Sequence, residues 1–108
     1  MLDPTKLAEE LSKRGLDWAD KDAAFYALDE TKKDILAECI GRLNDPDLSA
    51  VKAEQEARRL PQWKENQEKL VDARKAMNIA KVNYTVFETY LELIRTKEAT
   101  NRAEMKLV

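Results

Sequence analysis

From Trp63 to the end of the chain, apolar residues return at a fixed interval. Trp63, Leu70, Met77, Tyr84 and Leu91 stand seven apart, and the same track runs on through Glu98 to Met105. Ala73, Ala80, Phe87 and Ile94 fill a second, complementary heptad track. A sustained seven-residue repeat is the signature of a helix that lays one seam against a partner helix. No glycine or proline interrupts it after Pro61. The pattern predicts a helix over 61–105, roughly 66 Å long at 1.5 Å per residue.

The first part of the chain reads as a matching amphipathic helix. Leu7, Leu11, Trp18, Phe25, Leu28, Ile35, Leu36, Cys39, Ile40 and Leu43 fall on one arc of roughly 140° at helical spacing. Asp3 suits the N-cap and Pro4 the first helical position. Acid-before-base pairs such as Glu10/Arg14 and Glu38/Arg42 support the helix at i,i+4. One helix over 4–43 is expected, with Gly15 as its weak point. Asn44-Asp45-Pro46-Asp47 marks a turn. A short polar helix over 50–59 follows, capped by Asp47 or Ser49, with Val51 and scattered alanines to bury. Leu60-Pro61 ends it, because the residue before a proline avoids helical angles.

The expected fold is therefore all-α. It is a long antiparallel helical hairpin, coiled-coil-like, with a short middle helix, in a single domain over 1–108 that assembles into a helical bundle. If Leu43 lies near Pro61, Trp18 should meet Tyr84 to Phe87, Phe25 should meet Met77 to Ala80, and Leu11 should meet Leu91 to Ile94. Met105 and its neighbours should overhang.

A second apolar stripe complicates the hairpin. Ile79, Val82, Val86, Tyr90 and Leu93 lie about 130° round from the heptad seam, so the two stripes cover roughly 220° of the helix. One partner helix cannot cover that arc. These five residues are the expected oligomer interface, with a homodimer the simplest form.

Composition changes the picture mainly by exclusion. Charged residues make up 37% of the chain, against roughly 25% in ordinary globular domains. There is no histidine and a single cysteine, Cys39. An internal disulfide and a Cys/His zinc site are thereby excluded, and the usual imidazole relays are missing. Cys39 lies on the core stripe and reads as an inert thiol. Acidic residues pair with Lys or Arg at helical spacing, as on a solvated face. We expect no catalytic residue, no cofactor and no metal, hence not an enzyme. Trp18, Trp63, Tyr84, Phe87 and Tyr90 read as core or interface residues rather than base-stacking platforms.

No signal-like apolar segment follows the N-terminus and no apolar run reaches the roughly 18 residues of a membrane span. A cytoplasmic protein without membrane contact is expected. The net charge is −2, but residues 1–54 carry −5 and residues 55–108 carry +3. The asymmetry suits two halves packing with complementary rims. The basic C-terminal turns offer Arg95, Lys97, Arg102 and Lys106 as phosphate or partner contacts.

The segment LPQWKENQEKLVDARKAMNIAKVNYTVFETYLELIRTKEATNRAEMKL resembles small helical proteins encoded in tailed-phage and prophage genomes near recombination or replication genes. The aromatic after Pro61, the DARKA stretch from Asp72 to Ala76, the Lys81…Tyr84 pair and the closing RTKEATNRAEM carry the likeness. DWADKDAAFYALDETKKDIL in the first half adds to it. The resemblance spans about two-thirds of the chain and brings no catalytic residues with it. It implies a non-enzymatic phage accessory factor in a bacterial host cytoplasm, acting through protein–protein contacts. The second expectation is a DNA-binding or recombination accessory using the basic C-terminal helix.

Overall fold

A computed structural model describes residues 3–107. They form four helices in the order α1 (Pro4–Glu30), α2 (Lys32–Leu43), α3 (Ala50–Ala57) and α4 (Pro61–Leu107), with no strand among the described residues. The all-α expectation holds. α4 runs two residues further than the heptads indicated. The middle helix is shorter, stopping at Ala57 instead of 59.

The helix expected over 4–43 is two helices, and the interruption is not at the glycine. Gly15 lies well inside α1. The break falls at Thr31, whose hydroxyl donates to the Leu28 carbonyl at 2.9 Å. The same kind of bond, from the Thr89 hydroxyl to the Thr85 carbonyl, leaves α4 unbroken, so the hydroxyl alone does not account for the interruption. The backbone nonetheless stays near helical there, and the Ile35 N–H still reaches the Thr31 carbonyl at 3.0 Å.

Helix ends follow local chemistry. Asp3 accepts the Thr5 N–H at 2.9 Å, satisfying one of the orphan donors of the first turn. α2 stops at Asn44, which takes left-handed angles (φ 47°) that asparagine tolerates better than most residues. The turn is then tied by Asp45, whose carboxylate accepts the Asp47 N–H at 3.0 Å. Ser49, not Asp47, caps α3 by accepting the Lys52 N–H at 3.3 Å. A three-residue-type bond from the Leu60 N–H to the Ala57 carbonyl closes α3, and the Leu60 carbonyl starts α4 by accepting from Trp63 and Lys64.

The chain divides into two compact units, each crossed by α1 and α4. One runs from Lys21 to Met77. Its core is a cluster of Cys39, Ala57 and Trp63, lined by Ile35, Leu36, Ile40, Leu43 and Leu60. α3 contributes through Ala57, fully buried and one of the alanines expected inward, while Val51, also expected inward, is exposed. An eight-residue helix has room to turn one short side chain into a groove, and Ala57 permits the closer approach. The Arg74 guanidinium sits 5.3 Å over the Phe25 ring. Gln62 donates to Glu38 at 3.0 Å, and Leu43 packs on the cluster that holds Trp63.

The other unit joins the residues up to Asp20 with those from Asn78 onward. Here α1 and α4 are antiparallel. Trp18 meets Tyr84 with ring centroids 5.5 Å apart, as the heptads require. Leu11 lines a groove with Leu91 and Ile94, again as expected. Arg14 donates to the Asn83 carbonyl at 3.2 Å and lays its guanidinium 4.5 Å over the Phe87 ring. Residues from Ala99 to Leu107 are all exposed, consistent with the expected overhang. The salt bridges Arg14–Glu10 and Arg59–Glu56 both lie along a single helix. Polar contacts from first half to second include the Arg14–Asn83 and Gln62–Glu38 hydrogen bonds and the cation–ring contacts of Arg14 and Arg74.

The two glycines should respond differently to Ala. Nothing lies within 4 Å of a Cβ added at Gly41, whereas one added at Gly15 would stand 3.3 Å from the Tyr84 ring. Gly41→Ala should stabilise by about 0.5–1 kcal/mol, and Gly15→Ala by clearly less, because Tyr84 must give way against Trp18. Urea denaturation of the two variants checks the order. Likewise Trp63→Ala should cost about 3–5 kcal/mol, while Val51→Ala should stay within about 0.5 kcal/mol of the parent.

Candidate functional site

Helical geometry decides what α4 can present. Residues at spacings of three and four share a face, so Ile79, Val82, Val86, Tyr90 and Leu93 form one row on the unit that contains Asn78 onward. All five are exposed, at 51, 57, 60, 44 and 64% respectively. The heptad residues of the same stretch, Tyr84, Phe87, Leu91 and Ile94, are half-buried, and Ala80 is buried. α4 thus has one face turned to α1 and a second apolar face turned to water. Tyr90 is steadied by Phe87, with ring centroids 6.0 Å apart and planes tilted by 40°.

The surroundings of the row are mostly uncharged. Between Asn78 and Ile94 only Lys81, Glu88 and Glu92 carry charge, in a chain that is 37% charged. At 100° per residue those three fall roughly 120–160° from the row's centre line. Asn83, Thr85 and Thr89 lie nearer. Beyond Tyr90 and Leu93 the row opens into a shallow groove of about 540 Å³ shared with Ile94, Lys97, Glu98 and Asn101.

The same unit has almost no core. Of its described apolar side chains only Ala80 is buried; Phe25, Cys39, Ala57, Trp63 and Leu70 all belong to the unit from Lys21 to Met77. Two packed helices bury one stripe each and enclose nothing. The uncovered row therefore sits on the part of the molecule that gains most from a further layer.

The basic residues of the last turns do not form one patch. Arg95, Arg102 and Lys106 follow at spacings of seven and four and share a helical face. Lys97 lies roughly opposite, about 160° from Arg95. Arg95 borders the groove with Pro4, Leu7 and Leu11, while Lys97 borders the groove of Tyr90 and Leu93. Glu98 edges both grooves and weakens each as an anion site.

Titration is perturbed at two places. The Arg14 guanidinium, hydrogen-bonded to Glu10 at 2.9 Å, holds that carboxyl below its ordinary value. A hydrogen bond to the Glu88 carboxylate holds the Tyr84 hydroxyl above its own. Both are helix-surface pairings at i,i+4. Among the described residues, no group of three or more acidic, cysteine or histidine side chains is placed to hold a metal, and no helix is long and apolar enough to cross a membrane. Cys39 is a buried free thiol.

One polar feature escaped the sequence reading. Asn66 is 8% exposed and its Nδ2 finds no partner among the protein atoms, nor do Gln62 Oε1 and Gln67 Nε2. Extending the Ala73, Ala80, Phe87 track back by one heptad lands on Asn66, so the signal was there. A buried asparagine in such a seam favours one register at a cost in stability. Asn66→Leu should leave the protein as stable or raise stability by about 1 kcal/mol, since an unpaired amide is removed. A clear loss of stability on thermal melting contradicts this view of the layer.

Compared with family models, with curated proteins and with solved structures, the chain finds no match in any of the three.

Proposed function

We propose that this protein is a non-enzymatic helical interaction and assembly module. It works through protein–protein contacts made by the uncovered row Ile79, Val82, Val86, Tyr90 and Leu93. The observation that carries this reading is the pairing of that exposed apolar row with a unit in which Ala80 is the only buried apolar residue among those described. Covering five large side chains removes apolar surface from water, at about 25 cal/mol per Å², and supplies a layer the unit lacks. Self-association, most simply as a dimer, is the first consequence. The resemblance to phage and prophage proteins supports a role as a phage accessory factor in the cytoplasm of a bacterial host. No catalytic group, cofactor or metal enters this proposal.

The second reading, a DNA or recombination accessory, draws on the line of Arg95, Arg102 and Lys106. Their shared face and exposure suit a row of phosphates. Lys97 stands apart from it, and Glu98 and Glu104 dilute it.

Sedimentation equilibrium from micromolar to millimolar chain concentration tests the first reading. The average mass should climb toward twice the monomer, and Val86→Glu should hold it at the monomer with the helical signal kept. A wild-type chain that stays monomeric throughout defeats the self-association part. Mobility shifts with single- and double-stranded DNA at about 50 mM salt, where phosphate contacts are strong, decide the second. We expect no shift; a shift lost on replacing Arg95, Arg102 and Lys106 by alanine transfers the proposal to DNA.

A further inference from the structure

We infer that α3 is a lid: it lifts from the Cys39–Trp63 cluster by itself, while the rest of the unit from Lys21 to Met77 stays folded. The device belongs to that unit alone and does not depend on what the α4 row contacts.

Little holds α3 as a helix. It has eight residues, Ala50 to Ala57, whereas an isolated helix needs about 12–15 even to be marginal in water. Its end charges work against it. Lys52 stands in the first turn and Glu54 and Glu56 in the last, each opposite in sign to what the helix dipole favours there. The Ser49 cap reaches the Lys52 N–H at 3.3 Å, at the long end for such a bond.

Little holds α3 down, either. Ala57 is buried and Ala53 half-buried; the other six side chains of the helix are exposed. Two alanines remove little apolar surface from water, since burial energy follows area. The better-tied end is the C-terminal one. Arg58 lies 5.9 Å from the Trp63 ring, and Arg59 bridges to Glu56 at 3.1 Å. At the other end, Asn44 to Asp47 are all exposed. The N-terminal end is therefore the one that swings, on the Arg58–Leu60 turn.

What the lid covers is closed completely. Cys39 is 0% exposed and shares its cluster with Ala57 of α3 and Trp63 of α4. The α2 side chains Ile35, Leu36 and Ile40 line that cluster without help from α3 residues beyond Ala57. Opening α3 thus bares the Cys39 thiol and leaves α2 and the start of α4 able to stay packed. Segments with few buried contacts open at a fraction of the free energy of global unfolding.

The chain has a single cysteine, so alkylation of Cys39 by iodoacetamide, followed by mass, reads the opening directly. The parent should react slowly, and its rate should hardly change over low urea concentrations, because lifting so short a helix exposes little surface. Ser49 and Val51 are both exposed and outside the cluster, so changes there act through the helix. Ser49→Ala, which removes the cap, should speed labelling about fivefold. Val51→Ala, a better helix former, should slow it about twofold. Leu91→Ala, in the unit from Asn78 onward, should leave the rate unchanged, whereas labelling through global unfolding would rise about tenfold or more. Hydrogen exchange gives a second readout: amides of Ala53 to Ala57 should exchange well before those of Cys39 and Ile40. Labelling at the rate of a free thiol overturns the inference, because α3 is then not seated. Labelling that follows global stability in urea and in Leu91→Ala overturns it too. So does a rate indifferent to Ser49 and Val51, or joint exchange of α2 and α3 amides.

Discussion

A helix packed against one neighbour can hide only the side chains that point at it. α4 carries two apolar faces, and that geometric limit governs the rest of the molecule. The heptad face is taken up by its antiparallel partner. The row from Ile79 to Leu93 is left exposed, although it costs free energy to keep in water. Proteins whose exposed apolar rows are contiguous generally use them as contact surfaces.

The two units meet the limit differently. Between Lys21 and Met77, α3 and the turns around it add a third element, so Cys39, Ala57 and Trp63 are closed off from water. The core there is small, and its tightness depends on short side chains: Ala57 fits where a larger residue would force the helices apart. Even so, the layer around Asn66 keeps an unpaired amide nitrogen inside. In the unit holding Asn78 onward no third element adds to the core, and aromatic and cation–ring contacts stand in for it. Trp18 against Tyr84 and Arg14 over Phe87 join the helices through side chains long enough to reach across without being enclosed.

Charged groups act both along single helices and between them. Arg14 with Glu10 and Arg59 with Glu56 stabilise turns of their own helices, and exposed pairs of this kind add little to stability. Between the halves, charged groups take part through the Gln62–Glu38 hydrogen bond and the placement of Arg14 over Phe87 and Arg74 over Phe25.

Much was legible from residue order alone. Heptad spacing sets which side of α4 packs, and spacing holds wherever the chain is helical, so Trp18 beside Tyr84 followed directly. Caps at Asp3 and Ser49 are local chemistry, visible within three residues. The exposed row was also legible, because a periodicity of 3.6 residues separates two stripes on one helix without reference to any partner. Tertiary structure decided the remainder. The break at Thr31 between α1 and α2 has no counterpart in the apolar periodicity. The hydrogen bond of Gln62 to Glu38 joins residues 24 apart in the chain. The choice of Ala57 over Val51 depends on the width of a groove that no single helix specifies. Each of these is a matter of which neighbour fills a space, and periodicity within one segment carries no information about the space beside it.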